Sequence, residues 1–413
     1  MIIAIDDAIR ALPNLFGRCL FVLKERMSEI HTPKLNSTGP KKSGQGPFFI
    51  WHGMTLSAMV QLFAQHPNVH WSQWLKLAMM PGLGLFNSTM SIAENLVFGS
   101  RIRKTEIEHP PLFILGFWRS GTTLLHNLMT RDPQFTYPTL YTCFFPNHFL
   151  LTEKAVTSLT GCFVPKSRPM DNLPASWHMP QEDELALCIQ TLISGYLFLG
   201  MQQHPERCER FYDLVDVNAK ERDLWERTMV KYLKRMTIRE NKTVVLKSPS
   251  HTFRIPTLLK LFPNAKFLYI HRNPYETVRS AFHLRRTMLQ DNGLGRPCYM
   301  EVEECILRLY ENAFHRYEDN KHLIPEGNLH EVRYEDLESD PLGELEKTYS
   351  TLGYEGFDRL KLILEPELPA LKRFQKNAFE DDPTQVRMIY DRLRYAFEKY
   401  DYPAPVGTAV GVA

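Results

Sequence analysis

A short apolar run that ends in a glycine-bounded loop constrains the fold of this chain more than any other feature. Residues 111–115 read Pro-Leu-Phe-Ile-Leu, which predicts a buried parallel strand, and residues 124–129 predict the start of a helix. Gly116 and Gly121 bound the loop between them. A strand, a loop and a helix N-terminus in this order direct successive backbone N–H groups and the positive end of the helix at one point. The segment therefore predicts a phosphate-binding loop within an α/β fold.

The loop departs from that of ordinary NTP-hydrolysing proteins at one position. Its glycines have the spacing of a Walker A loop, but Thr122 stands where that loop carries its lysine. Without the lysine, the loop is poorly suited to hold the β- and γ-phosphates of ATP with magnesium. Arg119 supplies a cation instead, and Ser120, Thr122 and Thr123 supply hydroxyls, which suits a 5′-phosphate that carries a second anionic group. A nucleotide kinase or NTPase is the alternative that the glycine spacing alone supports.

On these residues the chain resembles the sulfotransferase superfamily, in the style of its broad bacterial branch. The donor of that family is 3′-phosphoadenosine 5′-phosphosulfate (PAPS), whose 5′-phosphosulfate binds a loop of the form basic-Ser-Gly-Thr-Thr, and Arg119–Thr123 match it position by position. An Arg at a strand end, followed eight residues later by a helical Ser, binds the 3′-phosphate in the family. Arg272 and Ser280 match this pair, and Tyr334 matches the family's Tyr-Glu-Asp tyrosine near the nucleotide. The glycine-rich Arg-Lys-Gly element of the cytosolic enzymes is absent from the sequence.

The resemblance covers residues 111–402 and implies both a reaction and a fold. It implies transfer of a sulfuryl group from PAPS, as co-substrate, to a hydroxyl or amine of an organic acceptor, without a metal. Further strands are predicted at residues 243–246, 265–270 and 329–333, and they alternate with helical segments, which predicts a doubly wound parallel sheet. The predicted fold is therefore α/β, a P-loop-like doubly wound parallel sheet flanked by helices, with a helical N-terminal cap. A non-catalytic nucleotide-binding scaffold is a third alternative.

Two basic residues are candidates for stabilising the charge of the transferring group. Lys247 ends a predicted strand, at a position where family members hold a Lys near that group. Ligands of doubly wound sheets bind beyond the carboxyl ends of the strands, where Arg119, Lys247 and Arg272 are all predicted to lie. We assign Lys247 and Arg119 to the bridging oxygen and the sulfuryl charge.

The general base remains open at this stage, because the resemblance does not single out one residue. The tyrosylprotein branch carries a catalytic Glu about twenty residues beyond its loop, but residues 137–141 of this chain hold no carboxylate. His251 lies near the position where the cytosolic enzymes keep a catalytic His. Glu182 and Glu184 open a predicted helix, where they are either catalytic or merely complementary to the helix dipole. His178 stands just before them.

Composition restricts the partners and the compartment. The 413 residues contain 49 Lys and Arg against 47 Asp and Glu, a net charge of +2, which excludes an extended field for binding nucleic acid or another polyanion. The seven cysteines include no C-x-x-C pair, which predicts neither a zinc site nor a disulfide framework and favours the reducing cytoplasm. The aromatic and Met content before residue 111 favours a small-molecule or lipid-like acceptor that is apolar or amphiphilic.

The chain divides by pattern into segments before and after the phosphate loop. We predict an amphipathic helix at 1–30, a linker at 31–46, a helical cap at 47–104, the α/β domain at 105–402 with a mostly helical insertion at 132–241, and a tail at 403–413. Residues 1–26 are expected to contact either a twin subunit, as in a homo-oligomer, or a membrane surface, which would make the cytoplasmic protein membrane-associated. Pro13 interrupts that helix, which favours packing over the membrane. Trp51, Trp71 and Trp74 are predicted either to line an acceptor pocket or to belong to the core.

Overall fold

The computed structural model describes residues 49–161, 176–369 and 382–405. The predicted N-terminal helix, the linker and most of the predicted tail lie outside these residues. All of the described residues belong to the unit formed by residues 40–413.

A parallel sheet of five strands forms the centre of the described part of the chain. The strands are β1 (Leu112–Leu115), β2 (Phe135–Thr136), β3 (Thr243–Lys247), β4 (Lys266–His271) and β5 (Leu329–Arg333). Their order in the sheet is β2-β3-β1-β4-β5, and every pair is parallel. Leu112 of β1 is in register with Val245 on one side and with Lys266 on the other. β1 is therefore the central strand.

Side chains alternate between the two faces of the sheet, and a hydrophobic cluster covers each face. Phe113, Leu246 and Phe267 pack into one cluster. Ile114 and Leu268, their neighbours along the strands, pack into the other. Burial on both faces explains why the inner strands β1, β3 and β4 are almost continuous apolar runs rather than alternating ones. The predicted doubly wound α/β fold is thus confirmed.

Helices cover both faces and precede the first strand. They are α1 (Leu56–Ala64), α2 (Trp74–Lys104), α3 (Thr122–Met129), α4 (Leu140–Phe144), α5 (Phe149–Thr160), α6 (Glu184–Thr191), α7 (Glu206–Asp213), α8 (Ala219–Arg239), α9 (Ile255–Leu261), α10 (Pro274–Asn292), α11 (Val302–Asn320), α12 (Tyr334–Ser339), α13 (Pro341–Leu352), α14 (Phe357–Leu364) and α15 (Pro383–Lys399). Short 3₁₀ turns lie at Ile50–Gly53, Trp71–Gln73, Gly195–Leu199, Pro249–Phe253 and Lys321–Leu323. Within the described ranges, no helix combines the length and apolar character needed to cross a bilayer.

The segment before the first strand is helical, as expected, and its tryptophans have different environments. Trp51 is buried in the core, and its indole N–H donates to the carbonyl of Asn292 over 2.9 Å. Trp71 and Trp74 are exposed. Trp51 is therefore a core residue, whereas the other two indoles lie on the surface.

The middle section differs from its sequence-based description in two places. It contains the short edge strand β2, which is too brief to produce an alternating pattern. The helix expected from Glu182 to Leu199 is interrupted, because Leu192 adopts a left-handed backbone with φ 57° between α6 and the following 3₁₀ turn. A β-branched or bulky residue is uncommon in that conformation, so the sequence offered no signal for the break.

Candidate active site

The loop between β1 and α3 has the tight backbone that its two glycines allow. Gly116 has φ 141° and Gly121 has φ 105°, values that residues with a Cβ rarely adopt. Arg119 is also left-handed, with φ 71°. The N–H and the hydroxyl of Ser120 both donate to the carbonyl three residues earlier, over 3.2 and 2.8 Å, which closes the turn. The first N–H groups of α3, which begins at Thr122, open onto this loop.

Segments that follow two other strands hold the loop in place. The N–H of Gly116 donates to Thr252 Oγ1 over 2.8 Å, and that hydroxyl donates back to the Gly116 carbonyl over 3.1 Å. A Cβ on Gly121 would overlap the ring of Tyr334. The predicted phosphate-binding loop is therefore packed against the chain that follows β3 and the chain that follows β5.

The three predicted donor-binding signatures come together at this edge of the sheet. Arg119 Nε donates to Ser280 Oγ over 2.9 Å, although the two residues are 161 positions apart. Arg272 follows β4 directly, and its NH1 lies 3.3 Å from the carbonyl oxygen of Arg119. The Arg272 guanidinium also lies 4.6 Å from the centre of the Tyr334 ring. Arg119, Arg272, Ser280 and Tyr334 thus form one basic cluster.

A small cavity beside this cluster contains a polar atom suited to a ligand. Ser120, Arg272 and Thr277 are among the residues that line it. Thr277 is 1% exposed, and within the described ranges nothing hydrogen-bonds to its hydroxyl. Buried hydroxyls normally have a partner, so water or a bound group is expected there. The residues present therefore fit a phosphorylated nucleotide.

The three consecutive acidic residues around the start of α6, Glu182, Asp183 and Glu184, each bind a different partner. Glu182 Oε1 accepts a hydrogen bond from Lys247 Nζ over 2.7 Å, at the carboxyl end of β3. The Tyr196 hydroxyl donates to the other oxygen of Glu182, and Trp118 Nε1 donates to that hydroxyl over 2.9 Å. Burial, and then the charge of Glu182, raise the pKa of Tyr196 well above its usual value, so the hydroxyl stays protonated. The side chain of Glu182 is 16% exposed.

Asp183 and His251 form a fully buried pair. His251 Nε2 lies 2.7 Å from Asp183 Oδ2, and Ser248 Oγ donates to the other carboxylate oxygen over 3.0 Å. Burial alone would raise the pKa of Asp183, but the charge and hydrogen bond of His251 and the Ser248 hydroxyl outweigh it and hold the pKa below its usual value. The second ring nitrogen of His251 is buried and lacks a hydrogen-bonding partner within the described residues.

Glu184 is fully buried in a bidentate ion pair. Arg254 NH1 and NH2 donate to its two oxygens over 2.6 and 3.0 Å, and Ser194 Oγ donates over 2.6 Å. Arg254 also donates to the carbonyls of Phe211 and Tyr212. Both Glu184 oxygens are therefore occupied by structural contacts. His178 is exposed on the surface.

The sequence did not identify Asp183, Tyr196 or Arg254 as parts of this network. Asp183 stands inside the acidic run that drew attention to Glu182 and Glu184, so its position was the available signal. Tyr196 and Arg254 reach their partners through the fold, across 14 and 70 residues, and nothing in their spacing marks them. Metal coordination was not expected, and within the described ranges no group of three or more His, Cys, Asp or Glu could hold an ion.

Known sequences resemble the part of this chain that contains the basic cluster. The profile of the sulfotransferase family matches residues 110–359, which include the loop, Lys247, Arg272 and Tyr334. Two curated relatives, from Mycobacterium bovis and Mycobacterium tuberculosis, are each named omega-hydroxy-beta-dihydromenaquinone-9 sulfotransferase Stf3. Each is 35% identical over 369 residues, which cover 88% of this chain and 95% of the relative.

Solved structures show the same fold at low sequence identity. The sulfotransferase STF9 of Mycobacterium avium superposes with a TM-score of 0.58 at 16% identity, covering 85% of this chain and 97% of its own. The sulfotransferase STF1 of Mycobacterium tuberculosis superposes with a TM-score of 0.52, also at 16% identity, covering 82% and 90%.

Proposed function

The chain belongs to the sulfotransferase family, and from that premise we propose which of its residues bind the donor, which act in the transfer, and what kind of acceptor it modifies. It is a PAPS-dependent sulfotransferase that transfers the sulfuryl group to an organic acceptor. The family match decides against the kinase and the scaffold alternatives. The individual roles below are our assignments.

The loop and the basic cluster provide the donor site in this proposal. Backbone N–H groups and hydroxyls of residues 120–123 bind the 5′-phosphosulfate at the start of α3. Arg272 and Ser280 bind the 3′-phosphate, and Tyr334 supports the guanidinium of Arg272 from its opposite face. Arg119, whose Nε donates to Ser280 Oγ, contributes its positive charge to the same donor site. The buried hydroxyl of Thr277 supports the placing of a phosphate here.

Transfer requires that the acceptor lose a proton and that the donor's bridging S–O bond break. The acceptor oxygen forms the new bond to sulfur, and the bridging oxygen leaves with its electron pair on the 5′-phosphate. We assign Lys247 to donate a hydrogen bond to that oxygen, and Arg119 to offset the charge of the sulfuryl group. The acceptor's proton passes to a carboxylate, which we assign to Glu182.

One observation supports Glu182 over Glu184 and His251. Its carboxylate contacts Lys247 at 2.7 Å and keeps part of its surface open to solvent, whereas Glu184 and His251 are fully buried. The Tyr196 hydroxyl, which is itself held by Trp118, restricts the rotation of the Glu182 carboxylate. A base must come within hydrogen-bonding distance of the acceptor hydroxyl, and only a partly open carboxylate can do so without rearrangement.

Substitutions at Glu182 and Lys247 test this assignment. We expect Glu182→Gln and Lys247→Ala to lower turnover about a hundredfold or more, because each removes a group that acts mainly in the transition state. Affinity for adenosine 3′,5′-bisphosphate should change much less than turnover, since Glu182 is not assigned to the phosphates and Lys247 is assigned to a single oxygen of the 5′-phosphate. Single-turnover assays with labelled PAPS and calorimetric titration measure the two quantities separately.

The chain offers a matched surface pair as the control. Lys260 and Glu226 form an ion pair at 2.7 Å on the surface, and Lys260→Ala and Glu226→Gln should leave turnover unchanged. If Glu182→Gln retained full turnover while His251→Gln or His178→Gln lost it with intact donor affinity, Glu182 would not be the base.

We further propose that the acceptor is a hydroxyl at the end of a long apolar molecule. The relatives that are 35% identical across most of the chain are named for an ω-hydroxylated menaquinone derivative. Exposed apolar side chains precede the first strand, including Trp71, Trp74 and Leu85. An apolar acceptor fits such a surface better than a charged glycan does.

An acceptor screen with matched pairs tests this proposal. Polyprenyl quinols with and without a terminal hydroxyl are compared with phenols, sterols and sugars, using labelled PAPS. We expect label on the ω-hydroxylated compound and none on its deoxy partner. Preferential labelling of a sugar or a polysaccharide would contradict the apolar acceptor, whereas the donor-site assignments would stand.

The expectations for residues 1–26 remain proposals, because these residues lie outside the described part of the chain. For this segment we propose contact either with a twin subunit or with a membrane surface. The cysteine pattern separately predicts a cytoplasmic location. Light scattering and vesicle sedimentation of the full chain distinguish the two contacts.

A further inference from the structure

One face of helix α2 is apolar and exposed along most of its length. The residues concerned are Leu75, Leu85, Phe86, Ile92, Leu96 and Val97. At 100° per residue they fall within a sector of about 140°, and they extend over about 33 Å of helix. Leu96 is 81% exposed and Val97 64%. We call this set of six residues the apolar stripe.

The opposite face of α2 is firmly attached to the protein. Asn87 Nδ2 donates to the carbonyls of His52 and Met54 over 2.8 and 2.9 Å, and Ser88 Oγ accepts from the backbone N–H of Leu56 over 2.9 Å. Met80 is buried in the core. The stripe is therefore presented by a helix whose orientation is set by its other side.

The apolar stripe contains no charged residue, and three basic residues follow its C-terminal end. Between Lys76 and Arg101 the helix carries a single charged residue, Glu94, which is fully buried and paired with Arg235 at 3.1 Å. Arg101, Arg103 and Lys104 form the last turn of the helix and are exposed. The exposed surface of α2 thus combines apolar side chains with a cationic end.

Lysines of the neighbouring helix α8 extend this cationic end. Lys234 Nζ donates to the carbonyl of Arg103 over 3.2 Å. Lys231 is close enough to Glu94 to interact with its charge. Burial and the charge of Arg235 lower the pKa of Lys231, and the charge of Glu94 partly offsets this decrease. Near the other end of α2, Trp71 and Trp74 are 64% and 62% exposed. Exposed indoles and cations at the edges of an apolar surface are typical of the boundary between lipid tails and headgroups.

We propose that the apolar stripe docks this protein onto the surface of an anionic lipid bilayer, with α2 lying in the interface plane. Apolar side chains enter the acyl boundary, and the basic end contacts the headgroups. A second copy of the chain fits less well, because the exposed surface of α2 brings no carboxylate to face its cations. This surface shares Trp71, Trp74 and Leu85 with the acceptor surface proposed above, so the docking is tested without any acceptor, and it differs from the contact considered for residues 1–26.

Sedimentation of the full-length chain with vesicles tests this docking in the absence of any acceptor. We expect binding to vesicles of phosphatidylcholine and phosphatidylglycerol, and weaker binding to phosphatidylcholine alone. Leu85→Glu with Leu96→Glu should lower the partition coefficient at least about tenfold, since carboxylates then enter the apolar boundary. Arg101→Glu with Lys104→Glu should remove the preference for the anionic vesicles.

Leu362→Glu is the matched control, because Leu362 is a leucine with 71% exposure on α14, away from the stripe in sequence and fold. It should bind vesicles as the unmodified chain does, and all variants should retain their melting temperature and their affinity for adenosine 3′,5′-bisphosphate. Failure of the full chain to bind vesicles would overturn the proposal, and so would undiminished binding by the Leu85→Glu, Leu96→Glu variant. A dimer that this variant converts to a monomer, without vesicle binding by either form, would assign the stripe to a second copy instead.

Discussion

Arg272 connects two of the proposed donor-binding segments through a single side chain. Its guanidinium lies against the ring of Tyr334 and within 3.3 Å of the Arg119 carbonyl oxygen, and its side chain is 15% exposed. We expect Arg272→Ala to weaken binding of adenosine 3′,5′-bisphosphate by about 2–4 kcal/mol, because charge-assisted bonds to a dianion are lost. Calorimetric titration measures this, and the rate of transfer from saturating donor should be largely retained.

Arg394→Ala provides the corresponding control, since Arg394 pairs only with Glu398 on the exposed side of α15 among the contacts described. Its donor affinity should equal that of the unmodified protein. Equal affinity in Arg272→Ala as well would remove Arg272 from the donor site.

The spacing of residues along the sequence predicted those site residues whose separation is set by a shared ligand. It did not predict contacts that only the fold creates. In the proposed donor site, Arg272 and Ser280 are eight residues apart because both are assigned to one phosphate, which they reach from a strand end and from the next helix. Glu182 and Glu184 looked equivalent, and their environments differ because Lys247 and Arg254 arrive from a segment about 65 to 70 residues away. No local pattern encodes which carboxylate meets which cation.

Asp132 connects the segment before β2 to the two helices α13 and α14. It lies between α3 and β2, fully buried, and accepts from Tyr349 of α13 and from Arg359 of α14, each over 2.7 Å. Burial would raise its pKa, but hydrogen bonds from Gln134, Tyr349 and Arg359 outweigh that effect and hold the pKa below its usual value. Its stabilising contribution is therefore complete above the unfolded-state pKa and is lost as the pH falls through the folded-state pKa.

Asp132→Asn should accordingly lower the free energy of unfolding by about 2–3 kcal/mol at neutral pH, because donors are left facing an amide. The difference from the unmodified protein should shrink as the pH falls below about 4. Urea denaturation at neutral and acidic pH measures both effects. Asp223→Asn, on the surface pair with Arg227, should change neither value, and a pH-independent loss in Asp132→Asn would assign the effect to packing rather than to ionisation.

Elements long enough to show a period could be predicted, and shorter ones could not. The strands β1, β3, β4 and β5 were located from the sequence, the first three of them as largely apolar runs. The two residues of β2 are identified only by their pairing with Thr243 and Val244. The break at Leu192 likewise depends on tertiary packing, which overrides the local preference of a leucine for right-handed backbone.

For the whole molecule, alternation of strands and helices was sufficient to predict a doubly wound parallel sheet, but not the order of its strands. The order places β1 between β3 and β4, so the carboxyl ends of all three converge on one edge. Arg119, Lys247 and Arg272 follow or end these strands, which explains why residues from distant parts of the chain form one site. The arrangement is a consequence of the strand order and of burial on both faces of the sheet rather than of any single segment.

The central position of β1 has a consequence for how the protein is made. Leu112 pairs with Val245 on one side and Lys266 on the other, so roughly 130 residues must be added before a neighbouring strand exists. At about 5–20 residues per second, that interval lasts roughly 7–26 s on the ribosome. Throughout it, the most deeply buried strand of the finished enzyme is an exposed apolar segment of a nascent chain, and its yield in a cell depends on what shields it until its partners are translated.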